Sequence, residues 1–248
     1  MPGLVAVVPI FNEAETVGRI VRRLRRVCPV VVVDDGSTDG GGGRAAAGGA
    51  SRVIRCAERQ GKGAALRLGF AEALRLEAEV VATLDGDGQH DPADLPRLLA
   101  AARRAPLAMV VGDRLTRGDG DRMPPVRRLA MRIADGLLHW LTGTVVRDTQ
   151  CGFRVYPAAL LRTLALQEEG FVTETEVLLK AARAGHRLVS VPVRRIYPAG
   201  RRSRFRALAD GVRIGRYLAR EAGRETARRL IGERLARRLR LASGSGWM

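Results

Sequence analysis

Two valine-rich apolar runs, each followed at once by polar residues, constrain the fold of this chain more than any other feature. Residues 4–9 and 30–33 are continuously apolar, which is typical of strands buried on both faces of a parallel sheet. Residues 13–26 lie between them and have Asn12 as a predicted helix cap. Their apolar positions recur at helical spacing: Val17, Ile20, Val21 and Leu24. The strand–helix–strand unit predicts a right-handed crossover and a parallel sheet.

The alternation continues and predicts an α/β fold, a doubly wound and mostly parallel sheet with flanking helices. Further strands are predicted at 52–55, 80–84, 108–112 and 188–193. Further helices are predicted at 62–77, 94–104, 124–143, 174–185 and 207–241. The segment 40–49 is predicted to be a loop leading into a poorly defined helix. Aromatic residues make up only 4% of the chain, so the core must be aliphatic.

The net charge of +17 calls for a partner of opposite sign, which means nucleic acid, an anionic membrane or a phosphorylated substrate. Between Arg194 and Arg240 there are sixteen arginines against four acidic residues. A nucleic-acid-binding protein is the alternative from a different functional class. However, the chain carries no aromatic stacking platform or recognised module, so no nucleic acid is expected. No apolar run reaches 18 residues, so the sequence predicts no membrane-spanning segment. The three cysteines lack metal-type spacing, which favours reduced thiols in a cytoplasmic protein.

The segment LDGDGQHDP, residues 84–92, directly follows a predicted strand. Asp85, Asp87 and Gln89 alternate in it, so an extended backbone would point them to one side. Such oxygen ligands, together with a diphosphate, suit Mg²⁺ or Mn²⁺. The alternative is an acidic turn with caps, and His90 is interpreted as a turn residue.

Two further motifs follow strands. Asp34 and Asp35 come after the second strand, where ligands bind in open α/β sheets, and capping is the alternative. Lys62 lies between glycines at a predicted helix start, which favours phosphate binding, although a plain turn explains it equally well.

The segments PIFNE, VDDGSTDG, QGKGAAL, LDGDGQHDP, DTQCGFR and TETEVLLKA together resemble glycosyltransferase family 2. Within it, the chain is most similar to soluble synthases such as dolichyl- and polyprenyl-phosphate mannosyl- and glucosyltransferases. The resemblance runs from about Val5 to Gly215. It implies a GT-A fold, a nucleotide-sugar donor (GDP- or UDP-sugar), a divalent ion and inversion at the anomeric carbon. We therefore predict a catalytic domain over 1–205 and a basic amphipathic helical extension over 206–248.

The resemblance also implies roles for individual residues. Phe11 stands where many relatives carry Tyr, and Asp87 and Gln89 are expected to hold the metal with Asp85. Catalytic roles are predicted for Asp87, Arg114 and Asp148. The complete predicted donor site comprises Pro9, Phe11, Glu13, Asp34, Asp35, Lys62, Asp85, Gly86, Asp87, Arg114 and Arg204.

The predicted acceptor is a polyprenyl or dolichyl phosphate, which is ionised at pH 7 and needs no general base. The alternative is a glycan hydroxyl, which needs one, and the candidates are Asp148, Glu174 and Glu176. The arginine-rich C-terminal helix is expected to lie on anionic lipid at the cytoplasmic face of the membrane. Relatives often carry transmembrane helices, so a separate membrane-protein partner stays open.

Overall fold

A computed structural model describes residues 3–116, 125–196 and 207–243. The side chains of 125–128, 130–131, 207–208 and 228–243 are outside this description. Arg204 and the predicted domain boundary after residue 205 also lie outside the described residues.

Strands and helices alternate through the described chain. The strands are β1 Leu4–Ile10, β2 Val30–Asp34, β3 Arg52–Arg55, β4 Val80–Thr83, β5 Met109–Asp113, β6 Arg154–Pro157 and β7 Leu188–Pro192. The helices are α1 Ala14–Leu24, α2 Gly41–Ala47, α3 Lys62–Arg75, α4 Leu95–Arg104, α5 Pro125–Thr142, α6 Ala158–Thr163, α7 Val172–Arg183 and α8 Ala207–Ser243. A short 3₁₀ helix, Pro92–Asp94, precedes α4.

The strands form one seven-stranded sheet in the order β3-β2-β1-β4-β6-β5-β7. Every pairing is parallel except those of β6, which is antiparallel to both β4 and β5. Arg154, the first residue of β6, therefore pairs with Thr83 at the end of β4. The mostly parallel α/β sheet is as predicted, and β6 brings its amino end to the edge where its neighbours finish.

The core is aliphatic, as the composition predicts. The residues of β2 are buried throughout, and all four predicted apolar positions of α1 are buried: Val17, Ile20, Val21 and Leu24. Burying such a side chain contributes roughly 1.5–3 kcal/mol relative to leaving it exposed. The apolar periodicity therefore identified the faces that hold the helices on the sheet.

Two elements were not predicted. The strand β6 has the sequence RVYP, which is too short to show a period, and α6 follows it directly. The segment 40–49 contains a regular helix, α2, whose Ala45 is buried in the core. Tertiary packing stabilises this glycine-rich helix against its low intrinsic propensity.

The predicted cap of α1 is wrong. Asn12 has a left-handed backbone (φ 51°), and its side-chain oxygen accepts a hydrogen bond from the Thr38 amide at 2.9 Å. Asp39, from the loop after β2, accepts the hydrogen bond of the Ala14 amide at 2.8 Å instead. A residue 25 positions away thus satisfies the helix terminus.

The first half of α8 packs against α5 and α7, and Ile214, Tyr217 and Leu218 are buried in the main core. The division of the chain into 1–205 and 206–248 stays a prediction. Within the described residues, none of the helices combines the length and apolar character that crossing a bilayer requires.

Candidate active site

The predicted site residues gather at one edge of the sheet. Pro9, Asp34 and Asp113–Arg114 mark the carboxyl ends of β1, β2 and β5. The Asp85–Asp87 loop follows β4, and Asp148 precedes the antiparallel β6. Because these ends share an edge, residues far apart in sequence meet there.

The loop after β4 turns instead of extending. Residues 86–88 form a turn, Gly88 has φ +79°, and Asp87 accepts the Gln89 amide at 2.9 Å. The expectation of an extended segment with alternating side chains is therefore wrong. Burial and then the charge of Asp85 raise the pKa of Asp87. The Gly86 amide donates to the Pro9 carbonyl at 3.3 Å, which ties the turn to β1.

Lys62, the first residue of α3, lies between two acids. Its Nζ is 2.7 Å from Asp85 Oδ1 and 2.6 Å from Glu174 Oε1. Burial opposes the charge on Lys62, but the two carboxylates outweigh it and raise the pKa of the ammonium. Burial opposes ionisation of Asp85, but the surrounding groups, Lys62 first among them and Arg114 as well, together outweigh it and lower the Asp85 pKa. Lys62 therefore contacts the acidic loop.

Arg114 and Asp148 form a buried, two-pronged ion pair. Arg114 donates from Nε at 2.7 Å and from Nη2 at 2.9 Å to the two oxygens of Asp148. Burial opposes ionisation of Asp148, but the guanidinium outweighs it and lowers the carboxyl pKa. A carboxylate held in this way is a weak base, so the geometry favours Asp148 as the residue that orients Arg114.

The other predicted bases are also engaged. Glu174 is paired with Lys62, and buried Glu176 accepts the amides of Gln167 and Glu168, both at 2.9 Å, and an ion pair from Lys180 at 2.7 Å. These contacts give Glu176 a structural role in the segment before α7.

The predicted nucleotide pocket lies at the ends of β1 and β2. The Arg59 guanidinium sits 4.4 Å above the Phe11 ring, and Asp35 accepts the amides of Gln60 and Gly61 at 2.7 and 2.8 Å. Glu13 is buried at the start of α1. Phe11 and Asp35 thus fix the loop that leads to Lys62.

Asp34 points away from this pocket. Its Oδ1 accepts the Ser37 amide at 2.9 Å, and its Oδ2 lies 3.5 Å from Arg55 Nε. A Cβ on Gly42 of α2 would come within 2.5 Å of Asp34 Oδ2. The structure therefore supports the capping alternative for Asp34.

Two site features were missed in the sequence. His90 is not a turn residue: it forms an isolated β-bridge with Arg195, its side chain is buried, and its Nε2 lies 3.9 Å from Asp85 Oδ2. Burial and then the nearby Arg114 lower the His90 pKa to about 3, so the ring is neutral. A Cβ on Gly152 would lie 2.3 Å from Asp85 Oδ2, so only glycine leaves room for that carboxylate. Both belong to motifs that the sequence singled out, but their neighbours come from other elements.

The charges of the site suit a divalent cation. Lys62 and Arg114 pair with three carboxylates, those of Asp85, Glu174 and Asp148, so these five groups together carry one net negative charge. Asp87 belongs to the same loop as Asp85. The described residues contain no cluster of three or more potential protein ligands. Mg²⁺ and Mn²⁺ sites of nucleotide enzymes commonly use one or two carboxylates and take the remaining oxygens from phosphates and water. Asp85 and Asp87 fit that pattern.

The mostly parallel seven-stranded sheet with flanking helices, which carries the acidic loop at its strand ends, has the GT-A fold of glycosyltransferases. Among solved structures, glucosyl-3-phosphoglycerate synthase of M. tuberculosis superposes with a TM-score of 0.69 at 22% identity, covering 89% of this chain and 80% of that one. Mannosyl-3-phosphoglycerate synthase from Rubrobacter xylanophilus gives 0.64 at 22% identity, covering 93% and 74%. At such identities the likeness establishes the fold.

Sequence comparison identifies the family. The model of glycosyl transferase family 2 matches residues 5–169. An undecaprenyl-phosphate mannosyltransferase of Micrococcus luteus is 33% identical over 201 residues, 77% of this chain and 82% of that protein. A polyprenol monophosphomannose synthase of Mycolicibacterium smegmatis is 32% identical over 199 residues, 75% of each. The chain belongs to glycosyl transferase family 2 and is a glycosyltransferase.

Proposed function

We propose that this enzyme transfers a hexose from GDP-mannose or UDP-glucose to a polyprenyl or dolichyl phosphate at a membrane surface, with Mg²⁺ or Mn²⁺ bound. The observation that carries the proposal is the position of Asp85 and Asp87 in one loop at the strand ends, where Asp85 shares the Lys62 ammonium with Glu174. The relatives named above act on undecaprenyl phosphate and polyprenol by their names, which supports a lipid phosphate as acceptor.

The engagement of the candidate bases also favours a phosphate acceptor. Asp148 is paired with Arg114, Glu174 with Lys62, and Glu176 with backbone amides and Lys180. A hydroxyl acceptor must lose its proton to a base as it attacks, whereas a phosphate oxygen is already anionic. The acceptor oxygen then forms a bond to the anomeric carbon while the bond to the nucleoside diphosphate breaks.

Each site residue has a defined part in this reaction. Asp85 and Asp87 with Gln89 would hold a divalent ion, which when bound would supply charge stabilisation for the departing diphosphate. Arg114, oriented by Asp148, adds a fixed positive charge at the same edge. Phe11 and Asp35 shape the pocket for the base and ribose, and Lys62 lies where the diphosphate meets the acidic loop.

Membrane docking is supported by α5 as well as by the arginines of α8. Leu129, Ile133 and Trp140 are 60%, 56% and 56% exposed along one side of α5, and Arg132 is exposed among them. An apolar stripe with Trp and Arg suits the interface of an anionic bilayer. The expected result is that Ile133→Ser weakens binding to vesicles containing phosphatidylglycerol. Leu107→Ser is the control, because Leu107 is 69% exposed before β5, at the opposite edge of the sheet.

The decisive experiment measures release of nucleoside diphosphate from a panel of GDP- and UDP-sugars, with polyprenyl phosphate and Mg²⁺ or Mn²⁺. One donor should turn over only with lipid phosphate and metal, and Asp87→Ala should be inactive while still folded. Turnover with a glycan acceptor alone would refute the lipid acceptor. Failure of every nucleotide sugar to bind would refute the donor assignment.

A further inference from the structure

The ion cluster of Lys62, Asp85 and Glu174 joins three separate elements. Lys62 begins α3, Asp85 follows β4, and Glu174 belongs to the first turn of α7, 112 residues after Lys62. One ammonium lies within 2.7 Å of a carboxylate oxygen on each side. Neither the donor pocket nor the transfer step as described above accounts for Glu174.

Glu174 is a rigid anchor for this ammonium. Its side chain is 2% exposed, and its backbone carbonyl accepts a 2.9 Å hydrogen bond from Arg154 Nη1. Arg154 is itself fully buried and donates to the carbonyls of Cys151 and Thr149, both at 2.7 Å. The hydrogen bond from Arg154 therefore fixes the backbone of Glu174, and the Glu174 side chain holds Lys62 at a defined point beside Asp85.

Glu174 changes the net charge of the groups around Asp85. If Lys62 were paired with Asp85 alone, the pair would be neutral, and the ammonium would compete with a cation for that carboxylate. With Glu174 sharing the ammonium, the three groups keep one net negative charge. Asp85 is thereby oriented by a hydrogen bond and still attractive to a divalent ion.

We infer that Glu174 is a positioning residue for the metal site, acting through Lys62 to orient Asp85 and to keep negative charge available to a divalent cation. This inference rests on the proposed function. Outer partners of metal-binding carboxylates commonly contribute tenfold to a hundredfold to metal affinity. Glu174→Gln retains the size of the side chain and a hydrogen-bond acceptor but removes the charge.

The test measures Mn²⁺ affinity of the full chain by electron paramagnetic resonance of free Mn²⁺, with GDP or UDP present. Glu174→Gln should raise the Mn²⁺ Kd by tenfold to a hundredfold, and Glu174→Asp should recover part of the loss. Glu176→Gln is the matched control: the same substitution in the same helix, on an equally buried residue whose partners are Gln167, Glu168 and Lys180. Its Kd should equal that of the wild type.

A second readout separates positioning from stability. In turnover assays, Glu174→Gln should raise the Mn²⁺ concentration at half-maximal rate while kcat at saturating Mn²⁺ is largely regained. In a Lys62→Met background, Glu174→Gln should change the Mn²⁺ Kd less than twofold, because its route to Asp85 is gone. If Glu174→Gln fails to fold, Glu174→Asp carries the test. Its Mn²⁺ Kd must exceed that of the wild type, and the same change in the Lys62→Met background must alter the Kd less than twofold.

The outcomes are distinguishable. Wild-type binding of Mn²⁺ with an unchanged Kd in Glu174→Gln overturns this inference and leaves the proposed function intact. A wild-type protein that binds neither Mn²⁺ nor nucleotide refutes the proposed function and this inference together. A loss of affinity as large in Glu176→Gln as in Glu174→Gln assigns both residues to general stability and also overturns it.

Discussion

The buried pair of Arg114 and Asp148 allows a quantitative test of whether Asp148 is a base or an orienting residue. The two side chains are 8% and 0% exposed, and two hydrogen bonds of 2.7 and 2.9 Å join them. Removing one partner of a buried pair costs about 3–5 kcal/mol, because the other charge remains buried without compensation. For a chain of this size each kcal/mol lowers Tm by about 2–4 °C. Asp148→Asn keeps one acceptor oxygen, so we expect the low end, about 3 kcal/mol and a fall in Tm of roughly 6–12 °C.

The assay is urea unfolding monitored by circular dichroism, with Glu72→Gln as the control. Glu72 makes the same two-pronged contact with Arg75, at 2.8 Å for each bond, but on the surface, so its loss should be clearly smaller. An Asp148→Asn protein no less stable than Glu72→Gln would refute the reasoning. So would unchanged stability with kcat lost at neutral pH and no acid limb left in the pH–rate profile, because that pattern identifies a general base.

Three further predictions concern single substitutions. Gly152→Ala places a Cβ 2.3 Å from Asp85 Oδ2, so the Mn²⁺ Kd, measured by electron paramagnetic resonance, should rise at least about tenfold, and an unchanged Kd would contradict this. Gly36 has φ +75° and its Cβ position lies 2.7 Å from the Arg59 amide nitrogen, so Gly36→Ala should lower the free energy of unfolding by about 1–3 kcal/mol in urea titration. Burial raises the Asp135 pKa from an ordinary 3.8 to about 7, although a hydrogen bond from Thr149 opposes this shift. Ionisation of Asp135 therefore lowers the stability of the folded protein progressively as pH rises from about 4 through 7. Asp135→Asn should therefore stabilise the protein at pH 8, by up to about 4 kcal/mol, and change little at pH 4; a gain of equal size at both pH values would refute the cause.

Much of the fold could be predicted because local patterns decide it. Valine runs that end in polar residues identify parallel strands and also place their carboxyl ends at one edge. That reasoning predicted that Asp35, Lys62 and Asp85 lie at the same edge of the sheet. The helical periodicity of α1 was likewise sufficient to identify its buried face.

What could not be predicted depends on partners distant in sequence. The Lys62–Glu174 contact spans 112 residues, and neither residue type reveals it alone. Gly152 matters only because Asp85 approaches it, and a sequence window around 152 contains no sign of that carboxylate. Asp34 and Asp35 are adjacent acids with different surroundings, since one faces α2 and the other the loop before α3. Periodicity predicts which face of a helix or strand a residue occupies. It does not predict which residues of other elements pack against that face.

The antiparallel strand β6 has a consequence for the order in which the protein is built. It lies between β4 and β5, yet it is synthesised after both, and 40 residues separate it from the end of β5. Until residues 154–157 arrive, β4 and β5 have no common neighbour, and Gly152 cannot border the Asp85 loop. We therefore expect β1–β4 to associate early and the rest of the sheet to join in a single late step with a high loop-closure cost. A nascent chain that ends before residue 154 would contain Asp85 and Asp87 but lack both β6 and Glu174, so the site around Lys62 would be incomplete.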